Sequence, residues 1–210
     1  MRIHEPMTLL TDYLLAALVI YFGIRLLAHW RRAGEQSGYW WAVGFFASAA
    51  AALAGGTYHG LLPYLSPLTK FLLWKFTVFA IGLAALFLFA GAVMATLAGT
   101  PRRCLMALAG LKFLVYSIWM TAHDDFRYVI YDYAPALVGI CLLAAYAGLA
   151  RRAPFAGWLI GGVLVSFAAA GIQMSGLALH THFNHNDLYH VVQMGAFWLL
   201  YRGGLLLRDR

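Results

Sequence analysis

TKFLLWKFTVFAIGLAALFLFAGAVMATL, Thr69 to Leu97, carries no charged residue between Lys75 and the arginines that begin at Arg102. A helix needs about 20 mostly apolar residues to cross a bilayer, and this run exceeds that length. Six further runs of the same kind flank it, near Thr8–His29, Trp40–Leu62, Cys104–Ala122, Ala134–Ala150, Phe155–Leu177 and Tyr189–Leu207. The chain is 63% hydrophobic and 11% charged, with a mean hydropathy of +0.74. Soluble domains are about 45–50% apolar and about 25% charged. The expected fold is therefore an all-α integral membrane bundle of seven transmembrane helices, forming a single domain over residues 1–210.

The first run ends in RLLAHWRRAGE rather than in a small-residue cleavage site, so it reads as a retained helix and not a signal peptide. Cys104 and Cys141 both fall inside predicted helices and suggest no disulfide framework. The arginines cluster at Arg31 and Arg32, Arg102 and Arg103, Arg151 and Arg152, and Arg202, Arg208 and Arg210. In a seven-helix serpentine these clusters share one side, which the positive-inside rule makes cytoplasmic, leaving the N-terminus outside and the C-terminus inside. The net charge of +7 is then explained by topology and by contact with anionic lipid headgroups. Nucleic-acid binding is a poor reading, because the arginines are divided among short loops. Membrane lipids are the expected partners, the bacterial inner (plasma) membrane is the expected location, and nothing in the sequence identifies a protein partner.

The other polar residues gather on the opposite half: Glu5, Asp12, His59, Lys70, Lys75, His123, Asp124, Asp125 and Asp132. With them comes HTHFNHNDLYHVVQ, where His180, His182, His185 and His190 precede or open the last helix. Ionisable groups inside a membrane are costly enough to be functional candidates. Asp187 or Asn186 lies within one helical turn of His190, and His59 arrives at the same depth from helix 2. One histidine plus a histidine with a partner on another helix is a plausible three-ligand metal arrangement, with a fourth position for water.

The segments TYHGLLP and NDLYHVVQ resemble the helix-2 and helix-7 motifs of the CREST membrane hydrolases, which include alkaline ceramidases, adiponectin and progestin receptors and hemolysin III proteins. The resemblance implies a zinc ion held by one histidine on helix 2 and two on helix 7. It also implies hydrolysis of a lipid amide or ester bond at the outer-leaflet half. His59 and His190 fall on two ligand positions; Asn186 stands at the third, so that Asp187 or His185 would take over. Gly55 holds the position of the family's serine, with Thr57 nearby, and helix 3 carries Lys75 and no acid. On this reading His59, His185, Asp187 and His190 form the metal set, while Lys75 or His123 stabilises developing negative charge or shuttles protons.

A metal-free alternative gives the same residues another task. A buried ammonium needs a partner, so Lys75 is expected to pair with Asp187, and Asp12 with Lys112, in a structural or ligand-binding network of a lipid-binding, receptor-like or transport protein. Transport ranks below the others, because the sequence lacks paired broken helices and an internal repeat. Plainer expectations stand beside both. His180 and His182 fit a solvated turn, Asn186 or Asp187 fits an N-cap, and HDDFRYVIYDY fits an interfacial loop with tyrosines at headgroup level.

Overall fold

The computed structural model describes residues 3–180 and 183–210; His182 lies outside these. The described residues form seven α-helices: α1 (Pro6–Ala33), α2 (Gln36–Leu61), α3 (Pro67–Thr96), α4 (Gly99–Ala122), α5 (Arg127–Arg151), α6 (Ala156–Ser175) and α7 (His185–Gly204). Six of them, α1 to α6, are long and apolar enough to cross a membrane. Two starts differ from the sequence expectation. α5 begins ahead of Ala134 and takes in Asp132, which is tolerated because Lys112 of α4 pairs with it. α7 begins ahead of Tyr189 because Asn184 caps it: its side chain accepts from the Asn186 and Asp187 amides, and Asp187 returns a bond to the Asn184 amide. That reciprocal capping box offsets the cost of starting a helix on polar residues. The cap is thus Asn184, not Asn186 or Asp187.

Neighbour packing closes six helices into a ring in the order α1, α2, α3, α5, α6, α7, with α7 returning to α1. α4 stands outside the ring against α3 and touches α5 only lightly. In a lipid environment helices associate through close packing and interhelical hydrogen bonds, so small residues matter at contacts. Gly56 shows this: a Cβ there would sit 2.7 Å from the Asp12 Cβ, and its absence lets α1 press its polar face against α2. At the other end Trp41 is fully buried and donates through its indole N–H to the Leu200 carbonyl at 3.1 Å, joining α2 to α7.

One end of the bundle is stitched by arginines and the C-terminal tail. The Asp209 carboxylate accepts from the Gln36 and Ser37 amides at 2.8 and 2.7 Å, capping α2, whose own N-cap Glu35 supplies no side-chain cap. Arg151 and Arg210 donate to the Thr96 carbonyl at 3.0 and 3.3 Å, satisfying the end of α3. The opposite end carries Glu5, Asp12, His59, Asp187 and His190.

Candidate functional site

On α1, Thr8 and Asp12 are four residues apart and so share a face, with Glu5 at the N-cap ahead of them. That face meets Asp187 and His190 of α7, three residues apart, and His59 near the end of α2. Thr8 donates its hydroxyl to Asp187 Oδ1 at 2.9 Å, and Asp187 Oδ2 accepts from the Asn184 amide at 2.7 Å. Asp187 is 1% exposed, with both carboxylate oxygens engaged in holding the start of α7 to α1.

His190 Nε2 lies 3.1 Å from Asp12 Oδ1, and Nδ1 lies 3.0 Å from the Thr11 hydroxyl. Thr11 in turn donates to the carbonyl of Met7 at 3.0 Å. A hydroxyl has one hydrogen to give, so Thr11 either donates to His190 Nδ1 or, with the Met7 bond made, accepts from it, according to the tautomer of the ring. His59 faces Glu5, Nδ1 to Oε2 at 3.4 Å.

Inside the ring lies a cavity of about 320 Å³. Its polar end is formed by Asp12, His59, Asn186 and His190, with Gln173, Gln193 and Tyr133 nearby; its apolar end reaches Leu88, Ile140, Phe197 and Leu200. All six ring helices contribute lining residues, and among the described residues α4 contributes none. From His190 to Leu200 the cavity spans about 15 Å at 1.5 Å rise per residue. Gln193 donates to the Ser166 hydroxyl at 3.2 Å, linking α7 to α6 partway down.

The residues expected at the site therefore separate. His59 and His190 come together on the cavity. Asp187 lies beside it, occupied in the cap, and His185 is the first residue of α7 and outside the lining. The four do not converge on one point: among the described residues no group of three or more His, Cys, Asp or Glu could hold a metal ion. Of that donor set, His59 and His190 line the cavity and His185 and Asp187 do not.

Lys75 faces the other way, which corrects the expected pairing with Asp187. Its ammonium donates to the carbonyls of Met120 and, at 3.0 Å, His123, and lies 2.8 Å from Asp124 Oδ1. A helix leaves its last carbonyls without intrahelical partners, and a lysine from α3 satisfies those of α4. Lys112 likewise pairs with Asp132 of α5, not with Asp12. His123 stacks on Trp119 with ring centroids 4.0 Å apart and bonds its carbonyl through Nδ1 at 2.8 Å; neither it nor Lys75 lines the cavity.

Lys75→Met is expected to lower stability by on the order of 3 kcal/mol, because it strands buried carbonyls and removes charged hydrogen bonds. Lys75→Met and Asp187→Asn should add without coupling, since the two residues share no partner. A thermal-stability double-mutant cycle checks this, and coupling beyond about 0.5 kcal/mol would contradict the geometry.

The loop at the end of α4 has its own pair: Arg127 beside Asp125, Nε to Oδ2 at 2.6 Å, holds that carboxyl below the usual carboxylate range. Sequence reasoning missed Gln193, Gln173, Ser166, Tyr133 and the Thr8 and Thr11 hydroxyls. A signal was available: Gln193 follows His190 by three residues on α7, and Ser166 and Gln173 lie seven apart in a mostly apolar α6, which places each pair on one face.

An all-helical, strongly apolar bundle with a polar-ended internal cavity defines an integral membrane protein. The chain belongs to DUF6962, a family of unknown function, whose model matches residues 7–209. No curated protein and no solved structure matches it.

Proposed function

We propose that this protein binds a single-chain amphiphile inside the helix ring, head at the Asp12–His190 end and hydrocarbon toward Leu200. All seven helices cross the bilayer, the arginine end is cytoplasmic, the cavity mouth opens at the outer-leaflet level, and the host is the bacterial inner membrane. The observation that carries the reading is the cavity itself, which is graded from polar to apolar along its length and lies within the size range of ligand pockets. Apolar walls take a chain; the few convergent polar groups orient a head.

Native mass spectrometry of protein released gently from membranes tests this. One retained amphiphile per chain is expected, and protein that emerges empty and takes up no added amphiphile would contradict it.

Metal-assisted hydrolysis of a lipid amide or ester, the expectation from the CREST resemblance, is a second reading, favoured by the fact that His59 and His190 both line the cavity. Uptake of about one zinc ion per chain, lost in both His59→Ala and His190→Ala, would favour it over simple binding.

A further inference from the structure

Resting on the amphiphile-binding reading, the chemistry of the ligand's head follows from which polar groups in the cavity already have partners. The charged ones do. Asp12 is held by His190, and His59 lies against Glu5, which is outside the lining. Asp187 accepts from Thr8 and from the Asn184 amide. The neutral ones do not: the side-chain amides of Asn186 and Gln173 and the hydroxyls of Tyr133 and Tyr189 line the cavity, and none has a hydrogen-bond partner among the described residues. Gln193 spends its amide N–H on Ser166 and leaves its carbonyl oxygen for another donor.

No lysine or arginine is among the described lining residues. Lys75, the nearest candidate by sequence, is turned to the end of α4. A carboxylate or phosphate entering the cavity would therefore find no lysine or arginine to neutralise it, and burying an unpaired charge is heavily unfavourable. An ammonium would have to displace His190 from Asp12 or His59 from Glu5. An uncharged head meets neither obstacle and supplies what the unpartnered amides and phenols need, donors and acceptors in a confined, water-poor space.

We propose that the ligand is a long-chain amphiphile with an uncharged head bearing both hydrogen-bond donors and acceptors, and that the site rejects fatty-acid anions and long-chain amines. Asn186 and Gln173, on α7 and α6 at the polar end, read that head.

The test uses the full chain in phosphatidylcholine nanodiscs near neutral pH, where sugar-headed detergents cannot compete. Three probes share one chain: monoolein, oleic acid and oleylamine. Saturable thermal stabilisation by monoolein, with none from the other two, is expected. The double variant Asn186→Leu/Gln173→Leu, at half-buried positions, should weaken monoolein binding on the order of tenfold, as loss of hydrogen bonds of ordinary strength implies. Oleate or oleylamine binding as tightly as monoolein would overturn the head assignment and leave the binding reading standing. Undiminished monoolein binding by the double variant would also overturn the assignment. If none of the three stabilises the protein, the binding reading itself fails.

Discussion

Lys112→Met is expected to cost about 3–5 kcal/mol of stability, the largest effect of any single side-chain truncation considered for this bundle. Lys112 lies about 15 Å along α4 from Ala122 at 1.5 Å per residue, and its four-carbon stem lets the ammonium reach Asp132, an acid 5% exposed. It donates to Asp132 Oδ1 and, at 2.8 Å, to the Asp132 carbonyl. The other carboxylate oxygen, Oδ2, is buried with no partner among the described residues, so Lys112 alone compensates the charge. Removing it leaves an uncompensated acid inside the apolar bundle. The double variant Lys112→Met/Asp132→Asn removes both charges and should recover most of the loss, a coupling that a thermal-denaturation cycle reads directly. A double variant no more stable than Lys112→Met alone would contradict this account. The pair also fastens α4, which packs only lightly on α5, to the outside of the ring.

Ala84→Phe should have the second-largest effect, on binding and not on the fold. Ala84 lies on α3 facing the cavity below its polar end, so a phenyl ring there enters existing space instead of displacing packed neighbours. Amphiphile affinity should fall on the order of a hundredfold, since the chain must then overpack the same volume at a cost of about 3 kcal/mol. The measurement is ligand-induced thermal stabilisation; an unchanged shift in Ala84→Phe would mean that the ligand binds elsewhere.

The helices themselves were legible in the sequence because lipid forces each span to satisfy its own backbone, and length and apolarity alone therefore mark it. The ends were less so. α7 starts ahead of its apolar run because a local cap at Asn184 outweighs hydropathy, and α5 absorbs Asp132 because a distant lysine neutralises it. His59 and His190 could be assigned to one site from their position near the same end of antiparallel helices. The partners of the lysines could not. Lys75 and Asp187 both lie toward the same end of the bundle, but sequence position does not say which side of a helix faces the ring interior. The position of α4 outside that ring turns Lys75 outward to the α4 carbonyls and Lys112 to Asp132. Asp12 is then left to His190, a pairing across α1 and α7 that only the closure of the ring reveals.

The central claim, a ligand cavity inside the six-helix ring, is tested most directly by photolabelling with a monoacylglycerol carrying a diazirine in its acyl chain, followed by peptide mapping. The account predicts saturable labels on cavity residues such as Leu88, Ile140 and Phe197, competed by unlabelled monoolein and lost in Ala84→Phe. Labels confined to the outward, lipid-facing residues Leu111 and Ile118 of α4, and unaffected by competitor, would contradict it.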